Sequence, residues 1–374
     1  MTAFFIWTTV LKIAAFVLFI LTGGALMVWV ERRLSAMMQD RIGPQRANLG
    51  RFRLWGLIHV VADGLKMMVK EDFIPRRADR LLHALAPILA FFPVVVTFAV
   101  VPFGPTLDFA HLGAVNHQGP LFSGPWATTL QVATIDVGLL FVLALAGTGV
   151  VGAVLAGAAS DNRFSLLGSL RAASQMISYE VTLGASLVGC ILVFGTLRIE
   201  QMVLWQHEHV WGIVVQPLAF LLFLVAGIAE SKRVPFDLPE GESEIVAGYF
   251  LEYSGMKFAM FYLGELMEIV VLAILLTVFF LGGWDVPFLY ADGLHVDLPF
   301  REVWVWSWPH GVVVLVQLFG FTVKVGAMVF LQMALRWTLP RFRYDQLMDL
   351  GWKVLLPLAL GNIAVTAVVL AALR

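Results

Sequence analysis

Residues 230–253 read Glu-Ser-Lys-Arg-Val-Pro-Phe-Asp-Leu-Pro-Glu-Gly-Glu-Ser-Glu-Ile-Val-Ala-Gly-Tyr-Phe-Leu-Glu-Tyr. Six carboxylates, Glu230, Asp237, Glu240, Glu242, Glu244 and Glu252, stand here between two long apolar segments. Ionisable groups beside hydrocarbon are costly, so such a cluster marks a functional site. A solvated connecting loop needs neither six acids nor two prolines around Phe236–Leu238. Further acids lie in the apolar segments themselves: Glu180 where the fourth begins, Glu230 where the fifth ends, Glu265 and Glu268 within the sixth. Burial makes a carboxyl group harder to ionise and a nearby cation makes it easier. The two influences together leave a glutamate able to take and release protons near neutral pH, and a chain of such groups is a proton relay. Lys324, in the middle of the seventh segment, is the natural counter-charge to Glu265.

The elements that must position these groups are membrane helices. The chain has 374 residues, 60% of them hydrophobic and 14% charged. A soluble protein has about 45–50% apolar and about 25% charged residues, so the composition predicts an all-α polytopic membrane protein. A crossing takes roughly 20 mainly apolar residues. Eight transmembrane helices are predicted, at about 5–30, 85–103, 132–158, 176–196, 211–230, 258–281, 312–335 and 351–372. No repeat or low-complexity tract divides the chain, so 1–374 reads as one integral membrane domain. The first segment is too long for a signal-peptide core, lacks a basic start and ends in Glu31-Arg32-Arg33, as a retained anchor does. Twenty of the 25 lysines and arginines fall in the loops on one side and at the helix starts bordering them, against three on the other. Basic loops stay cytoplasmic, so the acidic stretch faces the cytoplasm and both termini the periplasmic side. The outer loops 104–131 and 282–311, rich in Trp, Pro and Gly, read as interfacial caps.

The first cytoplasmic loop, 31–84, holds eleven basic residues. Within it Leu54, Leu57, Ile58, Val61, Leu65 and Met68 recur at helical spacing, with Asp63 and Lys66 on another face. This predicts an amphipathic helix on the cytoplasmic side, either a surface anchor or the wall of a cleft suited to a ligand with a lipid tail and a polar head. A single cysteine, Cys190, excludes an internal disulfide and any iron–sulfur cluster held by this chain alone. No Gly-rich dinucleotide fingerprint, metal-ligand cluster or nucleic-acid-binding pattern is present.

Five blocks, in order, resemble one family. They are Glu31-Arg32-Arg33 with Asp40-Arg41-Ile42-Gly43-Pro44-Gln45; Ala62-Asp63-Gly64-Leu65-Lys66 with Lys70-Glu71; Arg171-Ala172-Ala173-Ser174-Gln175-Met176-Ile177-Ser178-Tyr179-Glu180-Val181; the acidic stretch Ala229–Tyr253; and Arg336-Trp337-Thr338-Leu339-Pro340-Arg341-Phe342-Arg343-Tyr344-Asp345-Gln346-Leu347. The family is the H subunit of proton-pumping NADH:quinone oxidoreductase, respiratory complex I, called NADH dehydrogenase subunit 1 in mitochondria. The outer loop 104–128 is longer than the family pattern.

The resemblance implies a subunit of the bacterial inner membrane that joins the membrane arm to the redox arm and forms much of the quinone cavity. Quinone is then the substrate. The chain itself binds no cofactor, and flavin and iron–sulfur clusters belong to partner subunits on the cytoplasmic side. Small membrane-arm subunits and the lipid bilayer are the other neighbours. Quinone reduction consumes two protons and develops negative charge, so the expected quinone-side residues are Arg32, Arg33, Arg41, Asp63, Phe236 and Asp237, with Phe236 as a wall. The expected relay is Glu180, Glu230, Glu240, Glu242, Glu244, Glu252 and Glu265 with Lys324, and loop 234–248 is the element with two states. Glu268 matches no family position and reads as a locally paired acid. The competing readings are the equivalent subunit of a membrane-bound hydrogenase or formate hydrogenlyase, and a stand-alone ion transporter. The complete first and fourth blocks favour the quinone enzyme over the former. The lack of paired broken helices or repeats speaks against the latter.

Overall fold

The computed structural model describes residues 2–48, 50, 53–116, 118–241, 246–296 and 304–373. Ten helices carry the architecture. They are α1 (Thr2–Met38), α2 (Ile58–Val69), α3 (Arg80–Thr97), α4 (Gly138–Ala159), α5 (Arg163–Phe194), α6 (Ile199–Glu208), α7 (Pro217–Glu230), α8 (Gly255–Phe280), α9 (His310–Thr338) and α10 (Tyr344–Leu373). Among the described residues, seven helices are long and apolar enough to cross a membrane: all except α2, α6 and α7. This is an all-α polytopic membrane protein.

The fifth predicted span is where the pattern and the helix part. Its apolar run is broken into one turn over Gly212–Val215 and the 14-residue α7. Pro217 has no N–H to continue the earlier turn and drives Gln216 out of helical geometry, to φ −131° and ψ 58°. At 1.5 Å per residue α7 is about 21 Å long, short of a hydrocarbon core of about 30 Å. Two predicted loops also shrink. Helix α1 runs on through Glu31-Arg32-Arg33 to Met38. Helix α5 begins at Arg163, so 159–175 is mostly helix. The start of α5 is fixed by Asn162, whose side-chain oxygen accepts from the Phe164 N–H at 2.9 Å. Its end is fixed by Gly195, left-handed at φ +68°. Glu180 therefore lies mid-helix instead of at a helix start.

Helix α8 is mostly apolar around its circumference apart from Lys257, Glu265 and Glu268, and it lies inside the bundle, against α1, α3, α7 and α9. The main core joins it to α5 and α7 through Leu183, Leu187, Phe223, Phe279 and Phe280. A smaller core of Ala86, Ala153, Ala156, Ala172, Tyr249, Tyr253 and Phe261 binds α3, α4 and α5 to the stretch ahead of α8. Gly152 permits the α3–α4 approach, since a Cβ there would lie 2.5 Å from the Ala90 nitrogen. Helix α10 contains a π-helical stretch, Leu350–Leu355, directly before Pro357, whose missing N–H a π-turn accommodates. The outer loops form two small antiparallel sheets: β1 (Thr106–Asp108) pairs with β2 (Ala127–Thr129), and β4 (Gly293–Val296) lies between β3 (Leu289–Tyr290) and β5 (Trp304–Ser307). Helix α2 lies in the first loop, with Val61, Leu65 and Met68 exposed on it.

Candidate functional site

The acidic stretch is not a solvated loop. Ser231 to Pro239 are buried except Val234. The chain leaves α7 through Lys232, whose φ of +55° turns it sharply. It is then stapled onto α5 by Gln175, whose side-chain NH2 donates to the carbonyls of Ala229 (2.7 Å) and Phe236 (2.8 Å). Phe236 packs between Phe342 (ring centres 5.4 Å apart) and Tyr179 (6.1 Å). At 5% exposure its ring holds the turn in place. The backbone N–H of Phe342 donates to the Pro235 carbonyl at 3.1 Å, which ties the segment before α10 to the same turn.

This turn brings cations from one loop to carboxylates from several elements. Arg233 stands between Glu31 of α1 (3.4 Å) and Glu265 of α8 (4.0 Å), with its guanidinium over the Tyr262 ring. Glu31 also pairs with Arg336 of α9 and accepts from the Tyr262 hydroxyl at 3.5 Å. Glu265 accepts from the Tyr249 hydroxyl at 2.8 Å. Lys232 pairs with Glu268 at 3.6 Å, and Asp237 with Arg341 at 2.6 Å. Burial pushes Asp237 up to about 6, against the opposing pull of Arg341. Glu240 is held well above the usual carboxylate range by burial and by the neighbouring Glu265 and Asp237. Carboxyl groups raised in this way take up or release a proton when a charge beside them changes.

The other expected residues distribute as follows. Glu230 and Glu268 line one end of an apolar cavity of about 80 Å³ between α3, α4, α5, α7 and α8. Glu180 lies on α5 against Gly147 of α4, where a Cβ would come 2.6 Å from its carboxylate. Glu252 accepts from Asn162 at 2.7 Å and so docks the stretch onto the start of α5. Arg32 pairs with Asp63 of α2 at 2.7 Å in a more exposed setting. Arg33 lies over Gly43, and Arg41 bonds Gln39 at 2.6 Å. Glu242 and Glu244 lie outside the described residues. Lys324 is not the partner of Glu265. Its ammonium donates to the carbonyls of Leu281 (2.6 Å), Gly283 (3.2 Å) and Asp285 at the far end of α8, beside the His207–Asp285 pair. Arg233 takes the place expected for Lys324. The sequence reading missed Glu31, Arg233, Arg336, Arg341 and Tyr249. The signal for Arg233 was its place with Lys232 inside a stretch of acids. Among the described residues no three His, Cys, Asp or Glu side chains are grouped to hold a metal ion.

The arrangement is a buried network of carboxylates and guanidiniums that links the end of α1, the turn after α7 and the interior of α8. Comparison with known proteins identifies its class. Residues 11–367 match the model of the NADH dehydrogenase family, and the chain belongs to that family. It is 46% identical over 359 residues to an H subunit of the NADH-quinone oxidoreductase of Geobacter metallireducens, covering 96% of this chain and 95% of the relative. It is 44% identical over 354 residues to the H subunit of the same enzyme from Thermomicrobium roseum (92% and 91%). It is 43% identical over 342 residues to the H subunit from Bacillus cytotoxicus (91% and 88%).

Proposed function

We propose that this chain is the membrane subunit of an NADH:quinone oxidoreductase that forms much of the quinone cavity and couples quinone reduction to proton translocation. The observation that carries the coupling is the position of Arg233, 3.4 Å from Glu31 and 4.0 Å from Glu265. A change of charge at the cytoplasmic end of α1 reaches α8 through one guanidinium. Arg32, Arg33, Arg41 and Asp63 border the quinone entrance beside α2, whose apolar row meets the membrane surface and the quinone tail. Asp237, Glu240, Glu242 and Glu244 respond to the charge that reduction creates. Glu265, Glu230 and Glu180 carry the resulting proton shift into the bundle, and Glu252 anchors the stretch. Lys324 fixes the outer end of α8. Segment 211–230 completes an eighth crossing with its neighbours' help, and both termini face the periplasm across a bacterial inner membrane. Flavin and iron–sulfur centres reside in redox-arm partners on the cytoplasmic side, and small membrane-arm subunits flank the bundle.

The deciding experiment tags the chain, extracts it in mild detergent and assays the co-purifying assembly. A flavin- and iron–sulfur-containing complex with inhibitor-sensitive NADH:quinone reduction is the expected result. Co-purification with a nickel–iron hydrogenase, or an isolated cofactor-free protein, overturns the proposal.

A further inference from the structure

We propose that Glu268 is a proton-exchanging carboxylate of this chain, sharing a hydrated cavity with Glu230 and positioned by Lys232. The inference rests on the coupling function above and adds to it a residue outside the family pattern. Glu268 is three residues, about one turn, beyond Glu265 on α8 and on the same side of the helix. Glu265 belongs to the Arg233–Tyr249 group, whereas Glu268 faces the cavity. One Glu268 oxygen is 3.6 Å from the Lys232 ammonium; the other is sealed from bulk solvent and has no hydrogen-bond partner in the protein. A carboxylate oxygen in that state is open to a hydrogen bond from a water in the cavity.

The cavity supplies one. Its volume of about 80 Å³ exceeds several-fold the roughly 10–15 Å³ that one water needs. Its walls are apolar from Phe223 to Phe279, apart from Thr97 at the far end and Ser231 with the two glutamates at the near one. Water therefore gathers at Glu230 and Glu268 and bridges them. In the transfer the O–H bond of a protonated Glu230 breaks, the proton passes along the water, and an O–H bond forms on the Glu268 carboxylate; no other reactant takes part. Lys232 registers the transfer. Burial pulls its ammonium down, but Glu268, Glu265, Glu240 and Glu230 outweigh this and hold it charged above its ordinary value. Once Glu268 is neutral, the attraction of Lys232 turns to Glu240, which lowers its hold on a proton.

The test uses the whole complex in proteoliposomes, with NADH oxidation and internal acidification followed together. Glu268→Gln is expected to lose at least half of the proton-to-electron ratio, with recovery in Glu268→Asp. A purely structural ion pair is separated by the double variant Glu268→Met/Lys232→Met, which removes both charges at once. The double variant is expected to assemble and still to pump poorly; pumping at the wild-type ratio overturns the proposal. Should the substitutions block assembly, infrared redox-difference spectra of wild type and Glu268→Asp decide, since a titrating Glu268 contributes a carboxyl C=O band that moves in the aspartate variant. An unmoved band refutes it. A wild-type complex without NADH:quinone activity would refute the underlying function instead, before any variant is compared.

Discussion

Glu31→Gln is the sharpest perturbation of the network. The residue is 7% exposed, on α1, and its carboxylate is shared by Arg233 and Arg336 with the Tyr262 hydroxyl alongside. A unit charge pair at 4 Å with an effective dielectric constant of about 20 is worth about 4 kcal/mol. The amide keeps the size of the side chain and removes the charge, leaving the buried Arg233 guanidinium and the half-buried Arg336 guanidinium without their shared counter-charge. Breaking a buried pair from one side costs about 3–5 kcal/mol, mostly because the surviving charge is uncompensated. Glu31→Gln is therefore expected to destabilise the chain by about that amount. Adding Arg336→Met should restore part of it, because the new amide then faces a single guanidinium. The assay is unfolding in mixed micelles followed by tryptophan fluorescence, for wild type, both single variants and the double, so that the coupling energy is isolated. Quinone turnover of the assembled complex should fall with the single variant and recover in part with the double. A loss below about 1 kcal/mol, the range of exposed ion pairs, or strict additivity in the cycle, would refute the claim that Glu31 is the buried hub joining α1 to the loop.

Two further perturbations separate charge from packing. Asp237 has its carboxyl raised by burial from 3.8 to about 6, so its folded form binds a proton more tightly than the unfolded form. Its contribution to stability is in place at low pH and is lost as pH rises through about 6, with Arg341 limiting the loss. Arg341→Gln should raise the Asp237 midpoint and deepen this decline, read as melting temperature against pH; an unchanged profile would sink the pairing. Gly168→Val adds no charge, but a Cβ at 168 would meet the Gly248 Cα at 2.7 Å. It should cost about 1–3 kcal/mol and speed hydrogen exchange in Tyr249–Tyr253, with loss of quinone turnover. Retained turnover would mean that docking of this stretch is not needed for function.

What the sequence showed and what it hid follow from range. Apolar runs long enough to cross a membrane are local, so α1, α3, α8 and α9 were legible from residue types alone. The start of α5 was not, because Arg163–Gln175 mixes polar and apolar residues, and only the Asn162 cap and packing against Gly248 make it helix. The break at Gln216–Pro217 was written in the proline, but hydropathy averages across it. The acidic stretch announced a site through its composition. Its counter-charges could not be assigned, since Arg233 meets Glu31 across a separation of 202 residues and Arg341 meets Asp237 across 104. Lys324 looked like the partner of Glu265 because both are buried mid-chain charges, yet the carbonyls at the end of α8 claim it. An ammonium there satisfies the C-cap carbonyl of Leu281 and two loop carbonyls just past it, and opposes the negative end of the helix dipole.

The way the acidic stretch is held limits how it can transmit a signal. Coupling needs an element with two arrangements that both sites bias. Between Ser231 and Pro239 the backbone is fixed by interactions that carry no charge: the Gln175 amide on two carbonyls, the Phe236–Phe342 stack, and the Phe342 N–H on Pro235. Moving this segment would forfeit all three and expose the Phe236 ring, roughly 1.5–3 kcal/mol for the side chain alone. Changing the protonation of Asp237 or Glu240 forfeits none of them. The cheaper response to a change of charge nearby is therefore a redistribution of protons and ion pairs on a fixed backbone. Arg233 stands between Glu31 and Glu265 and can shift its weight from one pairing to the other without moving the backbone. On this argument the two states differ in where the protons are.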